Sequence, residues 1–199
     1  MNVHLDLKIM ARSTDTKTAI EQAALRLFVE RGIAETSIKQ VARAAKVSQG
    51  AMYNHYVSKD ELAWQLFARN FSEIGHALRH RAQEHRDLEA QFRAMVHYVF
   101  ERLDEDWLLV TYVFSARHHH LRRVDRRMGN PYLAFRNVIS RAMKRRQIPR
   151  QDLDLAASLV TGAIIQVIDT RILGRIAGGL PEQADRVARA LVGLLGAGP

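Results

Sequence analysis

The stretch from Thr36 to Lys59 reads TSIKQVARAAKVSQGAMYNHYVSK. Val41, Ala42 and Ala45 fall on one side of a short helix, and Ser48 stands where the next helix needs an N-cap whose side-chain oxygen accepts an unpaired backbone N–H. Val47 and Met52 flank that cap as a hydrophobic staple. The signal recurs after Tyr56, with Ser58 as cap, Glu61 as its capping-box partner, and Val57 and Leu62 as a second staple. The order is helix, turn, helix, then a new helix. Upstream, Ile20, Ala23, Ala24, Leu27 and Phe28 keep the spacing of an amphipathic helix that Gly32 stops, and this helix supplies a platform.

The middle helix, about Gln49 to Tyr56, is short and polar. Gln49, Tyr53, Asn54 and His55 carry hydrogen-bonding groups beside small Gly50 and Ala51, while Met52 and Tyr56, four apart, form an inward stripe. Small residues at the N-terminal end let the backbone approach bases, and amide and aromatic groups read base edges or touch phosphates. The pattern therefore points to a helix that enters a DNA groove.

Residues 19–67, AIEQAALRLFVERGIAETSIKQVARAAKVSQGAMYNHYVSKDELAWQLF, follow the pattern of the N-terminal module of the TetR family of bacterial repressors, which the chain resembles over about fifty residues. By that resemblance Thr36 and Lys39 start the first helix of the motif and touch phosphate or a groove edge. Ser48, Gln49, Gly50, Ala51, Tyr53 and Asn54 belong to the groove face, and His55 and Lys59 are phosphate clamps. Two positions depart from the family. Lys46 stands where a glycine usually occupies a left-handed turn, so a slightly different turn is expected. Ala51 replaces a hydroxyl residue, leaving base preference there to Gln49 and apolar contact.

The resemblance further implies an all-α fold of about nine helices, with a helix-turn-helix DNA-binding domain at 12–57 and a ligand-binding and dimerisation domain at 58–199. It implies a cytoplasmic homodimer, nucleoid-associated when DNA-bound, with double-stranded operator DNA and an unknown small-molecule effector as partners, acting as a repressor without a cofactor. Residues 1–11 are expected to be a disordered extension, with Met10 an alternative start, and the terminal Gly196–Pro199 to fray.

Composition agrees. The 199 residues leave about 140 for a second helical unit with its own core. There is no cysteine, so disulfides and thiolate chemistry do not contribute. No uninterrupted apolar run reaches the roughly 18 residues of a membrane span, and MNVHLDLKIM lacks the features of a secretory signal. The formal charge is +9, but residues 1–60 carry only +3, whereas residues 115–150 hold eleven Lys/Arg against Asp125 alone. Three readings of that basic segment stand side by side: a solvated surface, a supplementary attraction for DNA phosphate, and a mouth for an anionic effector.

Beyond Ser58 the periodicity predicts helices at about 59–84, 88–103, 106–121, 131–146, 152–176 and 182–195. The helix at 152–176 is apolar around much of its circumference and the last helix has a broad stripe, so a dimer interface is expected to include Leu159, Ala163, Val167, Val187, Leu191 and Leu195. Candidate cavity residues are Phe71, Met95, Tyr98, Phe114 and Gln166, with Asp169 a candidate anchor for a cationic ligand. His118, His119 and His120 point about 100° apart on a helix and do not converge on one metal, so they read as a solvated or a helix-ending run. No nucleophile with its base, paired carboxylates or phosphate-cradling glycine loop stands out, and no catalytic residue or metal site is expected. An architectural, sequence-tolerant DNA-binding protein is the alternative, with a helical enzyme behind it.

Overall fold

The computed structural model describes residues 3–125 and 127–196, with side chains from residue 14 onward. Residues 1, 2, 126 and 197–199 lie outside the described residues, and with them the ends of the expected extension and of the frayed terminus. Nine α-helices and no strand occur among the described residues: α1 (Val3–Arg31), α2 (Ile38–Ala44), α3 (Gln49–His55), α4 (Lys59–Gln83), α5 (Leu88–Glu105), α6 (Trp107–His120), α7 (Pro131–Lys144), α8 (Leu153–Ile172) and α9 (Ala184–Leu194).

Most boundaries follow from local chemistry. Ser37 caps α2 through a full capping box, its hydroxyl accepting from the Gln40 N–H while its own N–H donates to Gln40 Oε1. Ser48 caps α3 and Ser58 caps α4, accepting from the N–H of Ala51 and Glu61 at 3.1 Å each. The second capping box is only half formed, because the Glu61 carboxylate accepts from the Gln65 amide instead. Val57 is 79% exposed, so the second staple does not close.

Other sequence expectations are corrected. α1 runs back to Val3, where a disordered extension was expected, since no glycine or proline interrupts residues 3–31. The turn between α2 and α3 keeps the left-handed geometry with lysine in place, Lys46 having φ 56°. The Cβ costs roughly 1 kcal/mol there. α8 stops at Ile172 rather than residue 176 because Gly174, at φ 69°, turns the chain away. By length and composition α8 can cross a membrane, with a mean hydropathy of 1.4. Ser158, Thr161 and Gln166 interrupt its apolar run, which is why an uninterrupted count misses it.

α4 joins the two halves. Its first turns bury Leu62, Leu66 and Phe67 where α4 meets α1 and α6, and its later turns carry Phe71, Ile74 and Leu78 into the C-terminal bundle. One apolar core runs continuously from Ile20 to Leu195, crossing the boundary expected at residue 58. α6 strengthens the crossing: Tyr112 stacks on Phe28 of α1 with ring centres 5.7 Å apart and donates its hydroxyl to the Ala63 carbonyl of α4 at 2.7 Å.

The loop between α6 and α7 is drawn onto α4 by two glycines. A Cβ on Gly129 would lie 2.1 Å from the Ser72 carbonyl oxygen, and one on Gly75 would lie 2.3 Å from the Asn130 nitrogen, so only glycine permits the approach. The Gly129 N–H donates to Ser72 Oγ across the contact.

Candidate nucleic-acid interface and ligand cavity

α3 is anchored from below and open above. Met52 and Tyr56 are fully buried, whereas Gln49, Gly50, Tyr53 and Asn54 are exposed and Ala51 and His55 half-buried. Gln49 with Tyr53, and Gly50 with Asn54, are four apart and share the outer face. The Tyr53 ring, 56% exposed, has no core role to explain it. Ser48 is exposed at the head of the helix, where unpaired backbone N–H groups favour an anion.

The anchor is also electrostatic. Tyr56 donates its hydroxyl to Glu21 Oε1 at 2.6 Å, and Arg69 of α4 grips both oxygens of the same carboxylate at 3.1 and 2.6 Å. Burial alone raises the Glu21 carboxyl, but hydrogen bonds from Arg69 and Tyr56 outweigh it and hold the group below its ordinary range. Burial, then the bond to Glu21, pushes the Tyr56 phenol up. The carboxylate thus ties α1, the end of α3 and α4 together.

Lys39 is exposed on α2, and Arg43, one turn later on the same helix, extends that cationic face. Sequence alone gives Arg43 no distinction, because it sits within an alanine-rich run whose periodicity speaks only of packing. Two expected contact residues also bond within the protein. Thr36 is almost fully buried and donates its hydroxyl to the Gly32 carbonyl at 2.8 Å, closing the end of α1, so it neither caps α2 nor faces outward. Lys59 is half-buried and donates to the Ala34 carbonyl at 3.1 Å, which places its ammonium beside the α1–α2 turn.

A cavity of about 300 Å³ lies among α4, α5, α6, α7 and α8. Phe71 and Phe114 line it; Met95, Tyr98 and Gln166 do not. On α5 the inward residue is Val99, Met95 being fully buried in the core and Tyr98 lying under the Arg81 guanidinium. On α8 the walls are Thr161, Ile164 and Ile165, whereas Gln166 is exposed and donates to Thr170. Asp169 is exposed on α8 and, among the described residues, no acidic residue lines the cavity, which removes the anchor considered for a cationic ligand. Arg117 does line it, a residue legible beforehand only as part of the basic segment.

The histidine run divides. His118 and His119 are exposed, but His120 is 1% exposed, packed between Trp64 and Phe67 of α4, contrary to the solvated reading. Among the described residues neither ring nitrogen has a hydrogen-bond partner. Burial first, then the neighbouring His119 and Arg123, lowers its pKa to about 4. An unfolded chain binds that proton near 6.5, so the stability this ring confers is complete above about pH 6.5 and is lost as pH falls towards 4. His120→Phe keeps the ring packing without the titration. Thermal unfolding at pH 7, 5.5 and 4.5 should show a shallower decline for the variant and, at pH 7, a gain of about 1 kcal/mol from removing unpaired buried groups. Parallel declines would contradict this role for His120.

The dimer candidates divide too. Leu159 is 47% exposed and Ala163, Val167 and Val187 are half-buried. Leu191 and Leu195 are each 2% exposed: α9 docks on α5 through the stripe Ala184, Ala188 and Leu191, so these leucines belong to the protomer's own core. The large apolar residues exposed on these two helices are instead Leu155, Leu159 and Ile172 of α8 and Leu194 of α9.

Residues 20–66 match the family described as bacterial regulatory proteins, tetR family. The HTH-type transcriptional regulator AcrR of Shigella flexneri is 38% identical over 73 residues, which cover 33% of this chain and 34% of AcrR, so the alignment spans about a third of that relative's length. A regulatory protein of the tetR family from Rhodococcus RHA1 superposes with a TM-score of 0.75 at 17% identity, covering 92% of this chain and 98% of its own. The transcriptional regulator FadR from Bacillus subtilis, solved in complex with stearoyl-CoA, superposes with a TM-score of 0.69 at 15% identity over 88% of this chain and 97% of its own. At such identities these two likenesses are of fold. Residues 20–66 are thus a DNA-binding module of the tetR family of bacterial regulatory proteins, set in a nine-helix fold shared with solved regulators of that family.

Proposed function

We propose that the chain is a DNA-binding transcriptional regulator, acting as a repressor, in which the α3 helices of two protomers read a palindromic operator and a small molecule in the α4–α8 cavity releases it. The observation that carries this reading is α3 itself, its polar face open while Met52 and the C-cap residue Tyr56 are fully buried beneath it. The groove-facing set is Gln49, Gly50, Ala51, Tyr53 and Asn54, with Ser48, Lys39, Arg43, His55 and Lys59 towards phosphate. The N-terminal unit spans 12–57 and the sensor unit 58–199.

Dimerisation supplies the second reading helix at a half-site spacing of about 34–36 Å. It is supported by the exposed apolar residues of α8 and α9 and by Gly162, an exposed glycine in the interior of α8 that helix propensity disfavours by about 1 kcal/mol relative to alanine. Working places in the cytoplasm and on the nucleoid follow from this reading.

Release is supported by how α6 is shared. Val113, Phe114 and Arg117 line the cavity, while Tyr112 packs against α1 and α4. A ligand that reorients α6 or α4 thereby moves the platform of α3. It shifts the equilibrium only to the extent that it binds the released state more tightly than the operator-bound state.

Tyr53→Ala should weaken operator binding roughly 10- to 100-fold, the range for losing one groove contact, with helical content and oligomeric mass unchanged. Wild-type affinity in this variant would refute the docking of α3 in the groove.

A further inference from the structure

We infer that the cavity takes a small apolar carboxylate whose charged end is held by Arg117; this rests on the cavity being the effector site. Among the described residues Arg117 is the one charged residue lining the cavity, whose walls include Phe71, Phe114, Leu121, Ile164 and Phe135. Two neighbouring arginines of the C-terminal unit have carboxylate partners. Arg123 pairs with Glu61 at 3.7 Å and lies 4.2 Å over the Trp64 ring, and Arg136 grips Asp154 at 2.7 Å. Arg117 has no carboxylate within ion-pair distance among the described residues, and the one hydrogen bond it makes goes to the Phe114 carbonyl of its own helix. The remaining N–H groups of a half-buried guanidinium are left to whatever enters.

Charge and solvation then discriminate among occupants. A neutral apolar molecule displaces water from Arg117 and returns nothing, so part of its burial is spent on desolvating a cation. An ammonium adds like-charge repulsion, with no acidic residue in the wall to offset it. A carboxylate replaces the lost water with charge-assisted, bidentate hydrogen bonds, the pairing that the planar guanidinium fits best. Exposed Arg122 and Arg127 follow in the adjoining loop against Asp125 alone, so the local field favours an anion during entry as well.

Size narrows the class. At roughly 30 Å³ per water-sized group, 300 Å³ has room for about ten non-hydrogen groups. Octanoate has that size, and an aromatic acid of similar bulk fits the phenylalanine-lined wall.

Calorimetric titration of the full-length protein, without DNA, with octanoate, octan-1-ol and octylamine tests the assignment. Octanoate should bind the wild type at least about tenfold more tightly than octanol, and octylamine most weakly. Arg117→Gln should bring octanoate down to the level of octanol and leave octanol unchanged, with Arg117→Lys recovering part of the preference. Equal affinity for octanoate and octanol in the wild type, no binding of octanoate, or an undiminished preference in Arg117→Gln would overturn it. The wild-type comparison decides even if a variant fails to fold. Because no DNA is present, failure in this titration leaves operator recognition standing, and a protein without operator recognition could still pass it.

Discussion

Gly129→Ala should lower the midpoint of thermal unfolding by roughly 6–12 °C, corresponding to about 3 kcal/mol in a chain of this size. The added methyl carbon would sit 2.1 Å from the Ser72 carbonyl oxygen, and the obstruction is backbone, which does not rotate away as a flexible side chain would. Either the loop lifts off α4, losing the Gly129 N–H bond to Ser72 and uncovering the Pro131 end of the cavity, or α4 bends. Gly75→Ala, on the facing side, meets the Asn130 nitrogen at 2.3 Å and should cost a similar amount. Circular dichroism melts at constant pH measure both. Melting within a degree or two of wild type would mean that loop and helix separate freely, and that the contact does not position the cavity wall.

Gly162→Leu should turn the proposed dimer into a monomer and weaken operator binding by at least about 100-fold through lost avidity, while the protomer folds as before. Within one protomer a Cβ at Gly162 meets nothing within 4 Å, and leucine is the better helix former, so protomer stability should hold or rise slightly. The loss arises only if a second copy packs on the face formed with Leu155 and Leu159. Sedimentation velocity beside a melting curve separates the two effects. A Gly162→Leu protein that stays dimeric with wild-type operator affinity would move the interface elsewhere on the molecule.

The N-terminal module was legible because its determinants are local. Ser48 sits three residues before the N–H it accepts from, and Met52 and Tyr56 are one turn apart. The same holds for most helix ends, set by caps such as Asp87, Asp106 and Asp152. What escaped the sequence depends on which surfaces meet. Leu191 and Leu195 carry a stripe indistinguishable in pattern from an interface, and only the docking of α9 on α5 assigns them to the core. The Glu21–Arg69 pair spans 48 positions and the Gly129–Ser72 contact 57, with no periodicity to announce either. Arg117 joined a basic segment on composition, whereas its rotation about α6 puts it in an apolar cavity. Thr36 and His120 show the reverse case: polar residues that read as surface groups but are buried, one satisfied by the end of a helix, the other held between aromatic rings.

Selection of bound sequences from random duplex DNA by the purified full-length protein, followed by sequencing, tests the central claim most directly. Two copies of α3 reading one duplex should select a two-fold palindrome whose half-sites lie about one helical turn apart, with a preference that weakens in Tyr53→Ala. Recovery of DNA without sequence preference, or of none at all, would contradict operator reading by α3.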